Sequence, residues 1–461
     1  MNKLKYISLI ILLSWSITIF GQTNDIFTMQ EFMAMVKKYH PQVKQANLLL
    51  NEAEAELLKA RGAFDPKIEV DFDQKQFQNS EYYSVLQSSF KIPTWYGIEV
   101  KAGFDNSEGI YLNPQNLNPN AGLTSLGLSL PLARDLLINK RMADLRKAKL
   151  YGTINQADRD IMTTHVLHDA LTTYIDWKMA YDEFSLYGEL IRNAEIRFNG
   201  IKKMTEVGQN AAIDSVEAKI LVNSRKLNLQ EAELKLQKAR LLLSNYLWLD
   251  NNVPIELAEN LLPEQNLSKT IGFTLKTVDL QRNDINNHPK IIALDNKIKV
   301  LKIEERLKTN NLLPQLDVNF HWLNEPVNFT NLRNQNYKAG VNFSVPIFLR
   351  KERGERKLAQ IQVQDGEFER DFQKQQIDNK IKQIDFAITN LNDQLQLNNT
   401  LVKDFDTMLK AEERLFQIGE SSVFLVNTRE NNYVSSLLKR ISTENKYLST
   451  HLEMYKTLAV P

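Results

Sequence analysis

His165 and His168 stand three positions apart, so a helix would carry both imidazoles on one face, a spacing that metal ligands use. Asp169 is adjacent in sequence but lies roughly 100° further round such a helix. No third ligand follows on the same face, so the two histidines read as a surface pair, and no metal or cofactor is expected. The chain has no Cys, which excludes thiol catalysis, zinc–cysteine sites and disulfide frameworks. No Ser-His-Asp arrangement, glycine-rich phosphate loop or paired-carboxylate motif stands out, and an enzyme is not expected. Arg350-Lys351-Glu352-Arg353 has the mixed charge of a solvated helix start. What remains to carry function is two glycine turns, Val207-Gly208-Gln209-Asn210-Ala211 and Ile418-Gly419-Glu420-Ser421-Ser422, with two acids, Asp214 and Glu217, just past the first.

These turns belong to a duplication. His40-Pro41 is matched by His288-Pro289 at a shift of 248, and at that shift Glu56 meets Glu304, Pro66 meets Pro314, Val70 meets Val318 and Phe72 meets Phe320. Leu128-Ser129-Leu130-Pro131 then answers Phe343-Ser344-Val345-Pro346 at a shift of 215. Glu206-Val207-Gly208-Gln209 resembles Gln417-Ile418-Gly419-Glu420 at a shift of 211. An ordered series with a drifting offset is an internal repeat with insertions, mainly in the strand region of the first half. The expected organisation is a signal peptide over 1–21, a first repeat over 22–275 and a second over 276–461. In the first repeat strands cover about 67–131, a long helical hairpin about 133–248 and a connecting segment 249–275; in the second, strands cover about 315–345 and a hairpin about 350–458.

Elements that could position such turns are legible from periodicity. Ile381, Ile388, Leu395, Val402, Leu409 and Phe416 recur every seven residues, with Ile384, Leu391 and Phe405 between them and Asn398 and Glu412 as polar interruptions. A second ladder runs Ile213, Ile220, Leu227, Leu234, Leu241, Trp248. Spacing near 3.5 keeps one seam facing a partner helix. Proline is absent from 132–253 and from 347–460, so helical hairpins with long arms at about 134–206 and 350–417 fit, each arm roughly 100 Å at 1.5 Å per residue. Other stretches alternate with period two: Ile68-Glu69-Val70-Asp71-Phe72-Asp73, 98–104, 126–130, Leu316 to Trp322 and Ala339 to Val345. Such alternation suits a soluble antiparallel sheet with one buried face, or membrane strands with polar residues toward a wet lumen and apolar ones toward lipid. Pro66, Pro131, Pro314 and Pro346 sit at the helix–strand junctions.

Lysines 3 and 5, the mostly apolar run Ile7 to Phe20 and the small Gly21 make a secretory signal cleaved near Gly21 or Gln22. The run is too short to span a bilayer, and without Cys the chain is not a lipoprotein. With 57 Lys and Arg against 56 Asp and Glu, a broad basic nucleic-acid surface is excluded. Apolar residues at 43% exclude wholesale disorder, and 16 Gly with 13 Pro suit a mainly helical chain. Export, long helices and alternating strands together favour membrane strands. Only helices or closed barrels satisfy every backbone group in lipid, so several chains must contribute strands to one barrel.

The chain resembles the TolC-type outer-membrane efflux proteins over nearly all of its mature length. The resemblance rests on the duplication, the two His-Pro pairs, Pro131 and Pro346 after the strands, and the paired Gly208 and Gly419 turns. It implies a mainly α fold: coiled-coil hairpins forming a periplasmic α-barrel, with strands completing a 12-stranded barrel in the outer membrane of a Gram-negative cell. It also implies a homotrimer that takes a periplasmic adaptor at the two glycine turns and works with an inner-membrane pump. The function implied is a passive exit duct of a tripartite efflux or type I secretion system; the alternative is an exported trimeric coiled-coil structural or adhesin-like surface protein.

Two departures from the family pattern stand out. The stretch 67–131 holds about four strand-like runs where one pair is usual, so the first repeat contributes either extra strands or one long bent pair broken by turns. The family's constriction aspartates follow the second glycine, where this chain has Leu425 and Thr428. Asp214 and Glu217 hold the equivalent places in the first repeat. They are either acidic rings favouring cations near the tunnel end or ordinary first-turn acids at a helix N-terminus.

Overall fold

The computed structural model describes residues 25–275, 284–326 and 335–459; the expected signal segment 1–21 and the proposed repeat boundary at 275/276 lie outside or at the edge of them. In chain order the elements are β1 (Ile26–Phe27), α1 (Met29–Tyr39), α2 (Pro41–Gly62), β2 (Lys67–Phe77), β3 (Ser80–Pro93), β4 (Glu99–Glu108), β5 (Leu123–Pro131) and α3 (Lys140–Glu206). Then follow α4 (Ala212–Ser244), β6 (Leu262–Pro263), α5 (Leu267–Thr274), α6 (Pro289–Asn310), β7 (Gln315–Asn324), β8 (Tyr337–Ser344), α7 (Arg350–Gln417) and α8 (Val423–Leu458). The fold class is the expected one: long helical hairpins plus strands.

Local chemistry explains the helix starts. Glu31 N–H donates to Thr28 Oγ1 at 3.2 Å while Thr28 N–H donates to the Glu31 carboxylate at 3.0 Å, a reciprocal cap on α1. Those bonds from Thr28 hold the Glu31 carboxyl below its usual range. The repeated His-Pro pair is also a cap. His40 Nδ1 accepts from Gln42 N–H at 3.3 Å and His288 Nδ1 accepts from Lys290 N–H at 3.1 Å. The proline that follows occupies the first helical position, where a missing N–H costs nothing. The helix α3 starts at Lys140, later than the expected 134, because Asn139 caps it: Met142 N–H donates to Asn139 Oδ1 at 2.9 Å. The same amide donates to Trp95 O at 3.0 Å, tying the helix start to the chain between β3 and β4.

The chain divides into two compact units, each assembled from both halves of the sequence. One takes Ala46–Ile161 and Asp284–Asp378 and holds the sheet. Its strands run in the order β2-β3-β4-β5-β7-β8, every neighbour antiparallel. Four strands thus come from the first repeat and two from the second, six in all, where a 12-stranded trimeric barrel takes four per chain. A tight turn with left-handed Gln78 and Asn79 joins β2 to β3, and the two pair antiparallel from Phe77 opposite Ser80 to Lys67 opposite Lys91, so they are separate neighbouring strands and not segments of one bent strand. Below the strands, Lys147 is paired with Glu304, Asn310 Nδ2 donates to Ile138 O at 2.9 Å and Asn155 Nδ2 donates to Leu49 O at 2.9 Å.

The other unit comprises the described residues of Met1–Gln45, Met162–Asn283 and Asn379–Pro461. Its core gathers Met29, Phe32, Tyr174, Trp177, Leu243, Leu267, Ile271 and Leu452, all essentially inaccessible. Phe32 stacks on Tyr174 at 5.7 Å between centroids. The Tyr174 hydroxyl donates to Phe27 O at 2.6 Å and accepts from Glu264 N–H at 3.1 Å, so it ties together both strands of the short parallel β1–β6 pair at their C-terminal end. Burial disfavours ionisation of both phenols, raising the pKa of Tyr174 and pushing that of Tyr455 up to about 12.

The ladder in α7 faces inward as expected: Ile384, Val402 and Leu409 are buried, Ile381, Ile388, Leu395 and Phe416 are half-buried, and Asn398 Nδ2 donates to Thr443 Oγ1 of α8 at 2.9 Å. The ladder in α4 is not. Ile213, Ile220, Leu227, Leu234 and Leu241 are 57–67% exposed, and Trp248 lies beyond the helix end, where it meets His40 edge to face. The side of α4 that packs within the chain carries Ala218, Val222, Arg225, Leu229, Ala232, Leu236, Ala239 and Leu243, spaced alternately by four and three. This helix has two seams on two faces. The alanines and the one arginine in the buried seam hide it from a search for large aliphatics.

His451 on α8 is 6% exposed, and neither ring nitrogen has a hydrogen-bond partner among the described residues. Burial lowers its pKa from 6.5 to about 4. Between those values the unfolded chain takes up a proton that the folded one refuses, so folded stability falls as pH drops from about 6.5 toward about 4. The full loss is about 3 kcal/mol. Thermal unfolding followed by circular dichroism should show this acid-side loss in the parent and a flatter profile in His451→Leu; equal slopes would contradict it.

Candidate functional site

Two regions of the chain are built to meet something outside it. The first is the sheet. Register puts one set of side chains on one face across all six strands: Ile68, Val70 and Phe72 on β2; Leu86 and Phe90 on β3; Val100, Ala102 and Phe104 on β4. The same face continues through Leu126, Leu128 and Leu130 on β5, Val318, Phe320 and Trp322 on β7, and Ala339, Val341 and Phe343 on β8. The opposite face carries Glu69, Asp71, Asp73, Lys91, Lys101, Ser129, Asn319, His321, Lys338 and Asn342. Much of the apolar face is open: Ile68 is 76% exposed and Phe343 65%. A sheet in a water-soluble protein would turn that face to a core. Pro66, Pro131, Pro314 and Pro346 stand at the ends of this sheet: Pro66 and Pro314 immediately before β2 and β7, Pro131 as the last residue of β5, Pro346 between β8 and α7. No described helix is long and apolar enough to cross a membrane.

The second region is the pair of turns joining α3 to α4 and α7 to α8. They have one geometry. Gly208 and Gly419 have φ of +77° and +81°. Gln209 N–H donates to Met204 O at 2.8 Å and Gly208 N–H to Thr205 O at 3.1 Å; Glu420 N–H donates to Leu415 O at 2.9 Å and Gly419 N–H to Phe416 O at 3.1 Å. This pair of bonds closes a helix on a left-handed glycine. A Cβ at either glycine would touch nothing within 4 Å, so the turns are open on their outer side. The entry into the next helix differs: Ser422 Oγ accepts from Leu425 N–H at 3.3 Å, while Ala211 offers no side-chain cap. Ser421 Oγ donates to Glu412 at 2.5 Å, and this bond, with Arg429 beside it, holds the Glu412 carboxyl low. Asn210, between Gln209 and Ala211, donates its N–H to Met204 O at 3.3 Å. Each turn exposes two equivalent apolar side chains, Val207 with Ile213 and Ile418 with Phe424, all at least 65% exposed.

Asp214 lies in the first turn of α4, its N–H donating to Ala211 O at 3.0 Å. Glu217 is engaged within the chain: Asn427 Nδ2 of α8 donates to its carboxylate at 3.1 Å. Nearby is a cluster that sequence reasoning missed. Glu430 of α8, 3% exposed, meets Arg197 of α3 and lies 3.5 Å from Arg225 of α4, while Arg197 also reaches Glu413 of α7 at 2.8 Å. Arg225 Nη2 donates to Asn431 Oδ1 at 2.8 Å. Four helices are pinned by this network. Its signal was an arginine inside the unnoticed small-residue seam of α4.

The histidine pair is no site. His165 is exposed, and His168 is taken by Asp169 at 2.9 Å and Glu453 at 3.5 Å. Among the described residues no cluster of three potential metal ligands occurs.

No family model matches the chain, and no curated protein matches it in sequence. Solved structures match its fold closely. The Campylobacter jejuni CmeC outer membrane channel is 15% identical, with 94% of this chain and 85% of that chain covered and a TM-score of 0.63. The open state of the Neisseria gonorrhoeae MtrE outer membrane channel is 12% identical, covering 94% and 89% at 0.66. The outer membrane protein VceC of Vibrio cholerae is 11% identical, covering 94% and 96% at 0.64. The chain therefore has the fold of outer-membrane channels, as the TolC-type resemblance implies.

Removing Arg225 strips Glu430 of one buried partner and opens the α4 seam. Arg225→Ala should destabilise the hairpin ends by about 3 kcal/mol, read as faster limited proteolysis near residues 207–211 and 418–422. Glu195→Ala, which breaks an exposed pair with Lys226, should cost under about 1 kcal/mol. Equal sensitivity of the two variants would mean the cluster does not hold the helices.

Proposed function

We propose that three copies of this chain build an outer-membrane channel of a Gram-negative cell, the passive exit duct of a tripartite efflux or type I secretion system. The observation that carries this reading is the six-stranded sheet with one mainly apolar and one mainly polar face, whose outer strands β2 and β8 each lack a further neighbour among the described residues. Such a sheet suits lipid on one side and water on the other, provided its edges are covered by further strands. The exposed second seam of α4 supports a multi-chain helical barrel, since a helix with seams on two faces can pack within its own chain and against a neighbour's. A coiled-coil surface protein would need the seams but not the sheet. The duct needs no chemistry of its own; an inner-membrane pump supplies the energy.

The two glycine turns are the docking tips for a periplasmic adaptor. Three chains would offer six like sites, each a Gly turn flanked by exposed apolar residues, Val207 and Ile213 or Ile418 and Phe424, with polar Gln209, Asn210, Glu420 and Ser421 between. Of the two acids, Asp214 is the better candidate for a charged ring at the constriction, because Glu217 is already held by Asn427.

The purified protein reconstituted in planar bilayers should conduct as a trimer, and fractionation should recover it with the outer membrane; recovery as a soluble monomer without conductance would overturn the channel reading. Gly419→Leu should weaken its own turn by about 1–2 kcal/mol through the left-handed φ. With open space around that site, trimers should still form and insert while efflux falls; normal efflux would leave the turn a mere chain reversal. Asp214→Ala should lower cation preference, measured as a shift of reversal potential in a salt gradient, and an unchanged potential would remove Asp214 from the constriction.

A further inference from the structure

The sheet order β2-β3-β4-β5-β7-β8 leaves one edge each on β2 and β8 without a strand neighbour among the described residues. Six strands fall short of the roughly eight that the smallest barrel needs. Along an antiparallel sheet with an even number of strands, the last runs opposite to the first. Setting β8 of one copy beside β2 of the next therefore continues the antiparallel order with every copy pointing the same way, the condition for a closed ring.

The duplication supplies the geometry of that junction. Within the chain, β5 ends the first repeat's strands and β7 begins the second's, and these two pair directly. By the shift of 215, β8 is the counterpart of β5; by the shift of 248, β2 is the counterpart of β7. The β5–β7 pair is thus a copy, inside one chain, of the junction that β8 and β2 would make between chains. Leu128 faces Phe320 and Ser129 faces Asn319 in that pair. Their counterparts are Phe343 with Phe72 and Ser344 with Asp71. The transferred register sets apolar beside apolar and polar beside polar, as the alternation of both strands demands.

We propose that β8 of one copy pairs with β2 of the next in this register, Phe343 opposite Phe72, so that three copies close an 18-stranded barrel and not a 12-stranded one. The proposal rests on the trimeric channel reading and deepens it. The lumen would be about half as wide again as that of a 12-stranded barrel, since diameter grows roughly linearly with strand number, and it would be lined by the charged face of β2 and β4. Bulky solutes would then meet their narrowest point in the helical part of the duct, not in the membrane.

The absence of native Cys makes the test clean. Phe343→Cys with Phe72→Cys, and separately Ser344→Cys with Asp71→Cys on the other face, should give disulfide-linked dimers and trimers when intact outer membranes are oxidised. Phe343→Cys with Ile68→Cys, offset by four residues or about 13 Å, should not link. Phe343→Cys with Ala102→Cys should also fail, because β4 is covered by β3 on that side. Linkage of 343 to 68 or to 102, or no linkage at either proposed pair in protein that still conducts, overturns the proposed closure. The unsubstituted chain is the separate control: if it neither conducts nor reaches the outer membrane, the channel reading itself fails.

Discussion

An unpaired backbone N–H or C=O in hydrocarbon costs several kcal/mol, and a strand edge presents a whole row of them. In this chain the exposed apolar face of the sheet and the outer edges of β2 and β8, which have no strand neighbour among the described residues, occur together, so neither water nor lipid suits the lone sheet. Water would punish the exposed isoleucines, valines and phenylalanines; lipid would punish the edges. Assembly of several copies into a closed barrel in lipid would satisfy both demands at once. The prolines at 66, 131, 314 and 346 confine the strand conformation to this stretch, so the helices take over where the sheet ends.

The helices solve a related problem by different means. A helix satisfies its own backbone, so its interface can be drawn by side chains alone. In α4 this permits two seams: one of Ala218, Val222, Arg225 and their successors that packs inside the chain, and one of Ile213, Ile220, Leu227 and Leu234 that remains exposed. The small residues in the inner seam bring backbones close, and the Arg197–Glu430–Arg225 cluster fixes register where the helices approach their turns. A buried charge cluster adds little stability against an apolar alternative but penalises misaligned helices, because any slip strands a charge. That specificity matters at the glycine turns, where a Cβ added at either glycine would meet nothing within 4 Å.

Much of this was legible before any coordinates. Periodicity of two and of seven located strands and hairpins because those periods are direct consequences of backbone geometry. The arm Arg350–Gln417 was found where the absence of proline allowed it, and the paired glycines marked turns because only glycine enters the left-handed region without strain. The duplicated His-Pro pair was visible as a repeat, but its reason was not: that an imidazole Nδ1 caps the helix it precedes needs the distances to Gln42 and Lys290.

What the sequence by itself determined is therefore the kinds of element, their order along the chain, the repeat that relates the two halves and the two-faced character of the strands, all of which are local or periodic properties. Tertiary structure alone decided how many strands the first repeat contributes, since a turn at Gln78 and Asn79 and a bent strand have similar composition. It alone decided which α4 seam is inside, because exposure depends on where α3 and α8 run and not on the hydrophobicity of a ladder. It alone brought Glu217 to Asn427 and Arg225 to Glu430, pairs more than 200 residues apart, since contact between distant positions is a property of the packed chain and leaves no mark in the spacing of either segment.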